Sequence, residues 1–274
     1  MAKLCRGIPT PENEYMRQQI AIVNNMLKSN VVEVLKNACR ALSSLMIPKK
    51  MVDCFLQIGN VQRLVELISN DDQDLVSPAL GASINISAGT DEQTRSLVSC
   101  NILNILCKLM KQPSRKLRVD IMILISNVAA CTCEEVGLIV ESGILEEVSI
   151  LFKRKDTALD LKKEAVWVFT NAVDKGLEHH REYFVETLEI VRPLCEMLKC
   201  HDQKIISLAI QCLFQTVEHY EKKKRGMCNT NGNEFSLETI VNIMNQSGAK
   251  LELQKQFNSS LSCEMYISHI LKYL

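Results

Sequence analysis

A short apolar pattern built around one small polar residue recurs along this chain at nearly constant spacing. The central residues, called marker residues here, are Ser44, Asn85, Asn127, Asn171 and Gln215, which are separated by 41, 42, 44 and 44 residues. A compact helical bundle has no reason to keep a fixed interval. The pattern therefore indicates a stack of similar helical units, each of which buries its apolar face against its neighbours.

Each unit repeats the same order of segments. A helix break comes first, at Gly59, Gly143 and later Gly248, and Cys100 stands in the equivalent position of one repeat. An amphipathic helix follows, with apolar residues at Val61, Leu64, Val65 and Ile68 in one unit. A longer apolar helix then carries the marker residue, and a short helix leads to the next break; one such short helix begins with a capping box formed by Thr90 and Gln93. Three helices per unit are typical of armadillo repeats, whereas HEAT repeats have two.

The sequence thus predicts an all-α fold, an armadillo-repeat right-handed superhelical solenoid whose marker helices line the concave face. We expect a single solenoid over residues 1–274 with four parts. These are the end of one repeat at 1–10, about five repeats across 11–220, a loop at 221–234 and a last repeat at 235–274. The loop would contain the basic run Lys222–Arg225, which is either a solvated surface charge or a mimic of a nuclear localisation signal.

Composition and motifs narrow the classes of function. Lysine and arginine number 32, as do aspartate and glutamate, so we expect neither a nucleic-acid nor a membrane partner. The first ten residues have no apolar core of a signal peptide. The 12 cysteines lie mostly at apolar helical positions, which is typical of a reducing compartment.

No known catalytic motif occurs, and we expect no enzyme. The pair Cys131 and Cys133 is too closely spaced for a zinc knuckle. The adjacent His179 and His180 would point in different directions on a helix. We therefore expect no metal and no cofactor.

Two segments carry a family resemblance. Asn85–Thr94 and Lys163–Asn171 strongly resemble importin alpha, also called karyopherin alpha. Weaker matches are Leu4–Gly7, Val76–Leu80, Lys204–Ile206 and Ile270–Leu274. Their order and spacing match the family along nearly the whole chain, from the end of its fourth armadillo repeat through its tenth.

The resemblance implies a peptide-binding function. The family binds extended Lys/Arg-rich nuclear localisation signals through tryptophan and asparagine residues four positions apart on each marker helix. Residues with this spacing share a helix face. Tryptophan rings form slots for the aliphatic stems and cationic ends of lysine and arginine. Carried over, the match assigns peptide binding to Glu164, Trp167, Asn171, Asn127, Asn85, Asp120, Asp91 and Thr94.

Several positions depart from the family pattern. Ile123 and Arg40 stand where the family has tryptophan, Lys3 replaces an asparagine, and Gly81 replaces a common arginine. We therefore expect a half-kept minor signal site with weakened or shifted binding. The marker asparagines have a second interpretation, in which they bond the backbone of the neighbouring repeat.

The resemblance also implies partners and location. The chain has no counterpart of the family's N-terminal importin-beta-binding segment, so no importin beta is expected through it. The C-terminal repeats match those that contact an export receptor and certain nucleoporins in the family. We expect a protein of cytoplasm and nucleus, either an import adaptor or an armadillo scaffold or decoy without import activity.

Overall fold

The computed structural model describes residues 13–226, 235–257 and 263–274, and it contains no strand within them. The helices are α1 (Asn13–Met26), α2 (Val32–Leu45), α3 (Lys49–Ile58), α4 (Val61–Ile68), α5 (Gln73–Ser87), α6 (Asp91–Val98), α7 (Ile102–Met110), α8 (Arg115–Ala129), α9 (Cys133–Glu141), α10 (Ile144–Lys153), α11 (Leu159–Lys175), α12 (Glu178–Glu182), α13 (Val191–Met197), α14 (Gln203–Lys224), α15 (Leu237–Gln246), α16 (Ala249–Phe257) and α17 (Glu264–Leu271). A π-helical turn, Tyr183–Thr187, continues α12. The predicted repeat end at 1–10, with Lys3, lies outside the described residues.

The chain forms two compact units, one ending at Cys131 and the other beginning at Thr132. The first contains α1 to α8 and the second α9 to α17. From α3 onward, the described helices follow one another in threes, and the third helices α5, α8, α11 and α14 carry the marker residues. The predicted all-helical, three-helix repeat is therefore confirmed.

In three repeats, a left-handed residue links the first helix to the second. Asn101 (φ 63°), Gly143 (φ 71°) and Gly248 (φ 74°) each stand directly before a second helix. Glycine adopts this conformation freely, and asparagine is among the few other residues that tolerate it. The sequence assigned this position to Cys100 in one repeat, which is wrong by one residue, because the residue in the left-handed conformation is Asn101.

Two third helices, α5 and α14, begin with an aspartate that also binds an earlier helix, α2 or α11, and this arrangement is called a cap bridge here. In the first unit, Asp72 Oδ1 accepts a bond from the Asp74 backbone, and Asp72 Oδ2 lies 2.8 Å from Lys36 Nζ on α2. In the second unit, Asp202 Oδ1 caps α14, and Asp202 Oδ2 lies 2.8 Å from Lys163 Nζ on α11. One carboxylate thus starts a helix and fixes its place beside the previous one.

The loop predicted from residue 221 begins later, because α14 continues to Lys224. Lys223 leaves only 8% of its side chain exposed, and its Nζ lies 2.7 Å from Glu182 Oε1. Lys224 and Arg225 pair with Glu238 and Glu221. Both interpretations of the basic run therefore fail for Lys223, whose charge is buried in an ion pair that local sequence does not reveal.

Aromatic packing fixes the orientation of α11. The ring of Phe169 stacks on Phe152 of α10 at 5.9 Å and meets the edge of Phe184 at 6.4 Å. All three rings are fully buried. The side of α11 that carries Phe169 is thereby held inward, and the opposite side reaches the surface. No helix in the described part of the chain is both long and apolar enough to cross a bilayer.

Candidate peptide-binding face

Four third helices present the same half-buried strip, called the marker face here. It consists of the marker residue and the residues four and seven positions before it, which share one side of a helix. The members are Pro78, Gly81 and Asn85 on α5; Asp120, Ile123 and Asn127 on α8; Glu164, Trp167 and Asn171 on α11; and Leu208, Gln211 and Gln215 on α14. All twelve residues are neither fully buried nor fully exposed. Each can therefore reach a ligand while its helix stays packed.

The marker face of α11 combines an acid, an indole and an amide. Burial raises the pKa of the Glu164 carboxyl, and repulsion from Asp160 adds to the rise. Within the described residues, no lysine, arginine or histidine forms an ion pair with Glu164. Trp167 and Asn171 follow on the same side of the helix. A cationic group placed here would relieve the unfavourable burial of this carboxylate.

The indole of Trp167 is in contact with a lysine of the next third helix. Lys204 Nζ lies 4.7 Å from the centroid of the Trp167 ring, within cation–π range. Lys204 belongs to the first turn of α14, where its backbone N–H donates to Asp202 Oδ1. The sequence offered Lys204 only as part of a matching segment and gave no signal that its side chain reaches Trp167.

In the first unit, the marker asparagines bind the preceding third helix. Asn85 Nδ2 donates to the Ser43 carbonyl oxygen at 2.7 Å, and Asn127 Nδ2 donates to Ser87 Oγ at 3.0 Å. The Asn85 bond supports the interpretation that this residue bonds the backbone of the neighbouring repeat, whereas Asn127 bonds a side chain there. Each amide keeps a second N–H and its carbonyl oxygen, so a peptide could still bind there.

The rest of the α8 marker face is less suited to cations than that of α11. Burial raises the pKa of Asp120, and nearby Lys116 offsets part of the rise. Ile123 occupies the position that Trp167 holds on α11. This half-buried aliphatic side chain offers apolar contact without the negative π face of an indole.

The two residues predicted around α6 have different surroundings. The capping box is confirmed, since Thr90 accepts from the Gln93 backbone and Gln93 accepts from Thr90. Asp91 is exposed in the first turn of α6. Thr94 is only 1% exposed, and its hydroxyl donates to the Ser87 carbonyl oxygen at 3.1 Å. The Thr94 side chain thus holds α6 against α5, and the prediction that it lines a peptide pocket is wrong.

The structure separates the predicted site residues between the two units. The first unit holds Asn85, Asp91, Thr94, Asp120 and Asn127, and the second holds Glu164, Trp167 and Asn171. Only the second set unites an acid, an aromatic ring and an amide on one helix. Among the described residues, no group of three or more histidine, cysteine, aspartate or glutamate side chains is arranged to hold a metal ion.

Comparison with known proteins places the chain near importin alpha. Importin subunit alpha-1a of Oryza sativa subsp. japonica is 30% identical over 147 residues, which cover 53% of this chain and 28% of that protein. Importin subunit alpha-4 of Arabidopsis thaliana is 29% identical over 238 residues, which cover 86% of this chain and 44% of that protein. No family model matches the chain. The predicted resemblance is confirmed, and the chain spans less than half the length of these relatives.

Solved structures show the same fold. A designed armadillo repeat protein, YIII(Dq)4CqI, has a TM-score of 0.77 and 21% identity, with 93% of this chain and 99% of that chain covered. A second designed armadillo repeat protein, in complex with the peptide (KR)4, has a TM-score of 0.75 at 21% identity, with 93% and 99% covered. The fold is therefore that of an armadillo repeat protein, as the sequence predicted.

Proposed function

We propose that this chain binds extended Lys/Arg-rich peptides, in particular nuclear localisation signals, through the marker face of α11. The observation that carries the proposal is the half-buried Glu164 carboxylate beside Trp167, with no ion-pair partner among the described residues. A carboxylate that is costly to bury gains most from an incoming cation. An adjacent indole takes the aliphatic stem of the same lysine or arginine.

The amide of Asn171 gives this face a means of holding a peptide backbone. Asn171 lies one helical turn after Trp167, on the same side of α11. An amide has two N–H groups and a carbonyl oxygen with two lone pairs, so it can bond a peptide backbone in addition to a partner within the chain. An acid, a ring and an amide in series thus match a basic side chain and its backbone.

The comparisons support the proposal from two directions. The relatives are importin alpha subunits, and one armadillo protein of the same fold was solved with a peptide of lysine and arginine. By this argument the chain would work as an import adaptor between cytoplasm and nucleus. Its C-terminal repeats would be the place to seek an export receptor or nucleoporins as partners.

The test is a titration of a fluorescently labelled Lys/Arg-rich peptide into the full chain. We expect micromolar or tighter binding. Glu164→Gln should weaken it at least about tenfold, because a charge-assisted contact contributes about 1.5 to 3 kcal/mol. Trp167→Ala should weaken it as well, because it removes the cation–π contact and the packing of the aliphatic stem. Glu178→Gln is a matched control, since Glu178 is an exposed carboxylate on α12. A peptide with serine at its basic positions should not bind.

The result that contradicts the proposal is equally definite. If the wild-type chain fails to bind the basic peptide, or binds it equally well after both substitutions, the α11 face is not a cargo site. The circular dichroism spectrum of each variant shows whether the variant is folded, and so distinguishes loss of binding from loss of structure.

A second function, that of an armadillo scaffold or decoy, is favoured by one observation in the first unit. Arg40 is half-buried on α2, four residues before Ser44, at a position that Trp167 holds on α11. A guanidinium there suits an acidic segment and repels a basic one. Binding of a Glu/Asp-rich peptide that Arg40→Met abolishes would favour the scaffold over the adaptor.

A further inference from the structure

The ring that would receive a peptide cation already holds a cation of the chain itself. Lys204 Nζ lies over the Trp167 ring at 4.7 Å from its centroid. Lys204 is exposed, and no carboxylate forms an ion pair with it in the part of the chain that the structure describes. The ring is therefore the electrostatic partner of this ammonium among the described residues, and the contact can break when a competing cation arrives.

The position of Lys204 is fixed by the cap bridge at the start of α14. Asp202 Oδ1 accepts the Lys204 backbone N–H, while Asp202 Oδ2 holds Lys163 Nζ at 2.8 Å. Lys163 stands one turn before Trp167 on α11, so a second lysine lies on the same side of this helix. Asp202 neutralises Lys163, and the side-chain bond between them raises the pKa of Lys163 and lowers that of Asp202. Lys204 is the lysine that keeps its charge available to the ring.

We propose that Lys204 is an internal competitor of the basic peptide and sets the affinity of the Trp167 face. The inference rests on the proposed function and adds a residue that determines its strength. A ring face occupied by one ammonium cannot take a second, and the two like charges repel each other. The measured affinity is then the intrinsic affinity reduced by the fraction of molecules in which the ring is free.

Competition by Lys204 predicts how much the affinity for basic peptides is reduced. Because the exclusion occurs before any peptide binds, it lowers the affinity of lysine-rich and arginine-rich peptides by the same factor. A cation–π contact at an exposed site corresponds to a factor of about two to five. Removal of the ammonium should therefore tighten both peptides by about two- to fivefold.

Lys204→Met is the informative variant, because it keeps an unbranched apolar stem and removes the charge. Lys155→Met is the matched control, since Lys155 is exposed in the segment before α11 and contacts no aromatic ring of the residues that the structure describes. Trp167 is the only tryptophan of the chain, so its fluorescence reports the site directly. Before peptide is added, Lys204→Met should reduce quenching by iodide, an anion that the ammonium attracts, and leave quenching by neutral acrylamide unchanged.

A peptide titration monitored by Trp167 fluorescence then tests whether Lys204 competes with the peptide. Two- to fivefold tighter binding by Lys204→Met than by Lys155→Met, about equal for both peptides, supports the competitor role. If the wild type binds and Lys204→Met binds no more tightly than Lys155→Met, the competitor role is refuted while the proposed function stands. If neither the wild type nor Lys204→Met binds, both are refuted.

Discussion

Loss of the Lys223 charge should destabilise the second unit far more than loss of its neighbour Lys222. Lys223 Nζ lies 2.7 Å from Glu182 Oε1 and 3.8 Å from Glu186 Oε1. Its side chain is 8% exposed, against 19% for Glu182 and 13% for Glu186. Lys223→Met therefore leaves two largely buried carboxylates without their cation. Removal of one partner of a buried pair costs about 3 to 5 kcal/mol, and the partial exposure of Glu182 places this case near 3 kcal/mol.

Lys222 gives the matched comparison within the same helical turn. It pairs with Glu218 at 3.1 Å, but the two side chains are 51% and 40% exposed. Such a surface pair contributes about 0.5 kcal/mol, so Lys222→Met should be nearly neutral. His219 does not replace the lost charge at neutral pH, although its Nε2 lies 3.5 Å from Glu182 Oε1, because burial lowers its pKa.

The assay is urea unfolding followed by Trp167 fluorescence, which reports on the second unit. With a slope of about 1 to 3 kcal/mol per molar urea, Lys223→Met should lower the midpoint by about 1 to 3 M. The double variant Glu182→Gln with Lys223→Met should recover part of the loss, because it removes both charges of the pair. Equal midpoints for Lys223→Met and Lys222→Met would refute the reasoning.

Three further expectations concern the sites described above. Affinity for a basic peptide should fall as the pH is lowered toward the raised pKa of Glu164, since protonation removes the charge that the cation binds. In a fluorescence titration at several pH values, Glu164→Gln should make the affinity less dependent on pH. Asn85→Ala should cost about 1 to 2 kcal/mol in urea unfolding because it leaves the Ser43 carbonyl without its bond, whereas Asn37→Ala, at an exposed asparagine, should cost less than about 0.5 kcal/mol. Burial raises the pKa of the thiols of Cys39, Cys195 and Cys212 to about 12, so mass spectrometry after alkylation of the folded chain should find them unmodified. Labelling of these thiols in the folded chain equal to their labelling in urea would contradict this expectation.

The repeat could be predicted from sequence because each unit depends on local signals. Spacing of the marker residues, helix periodicity and the capping box at Thr90 all lie within short segments, and the structure agrees with them. The break at Asn101 was placed one residue early, because only backbone conformation distinguishes it from Cys100.

The candidate site was less predictable, because its character depends on contacts between distant segments. The family pattern selected Glu164 and Trp167, but nothing local showed that Lys204 covers the ring. Thr94 matched the family motif, yet its hydroxyl faces the Ser87 carbonyl inside the unit. Lys223 was predicted in a loop, because its buried partners, such as Glu182, lie about 40 residues earlier in the chain.

The cap bridges have a consequence for the order in which the chain acquires structure. Nucleation is the unfavourable step of helix formation, and an N-cap lies at the nucleus. Asp72 and Asp202 place the contact with the preceding helix on that same residue, through Lys36 and Lys163. During synthesis the helix that carries the lysine leaves the ribosome before the aspartate that binds it. Asp72 follows Lys36 by 36 residues, and Asp202 follows Lys163 by 39 residues. At these two junctions, each new helix would start on a surface already folded, so that structure grows in the direction of translation.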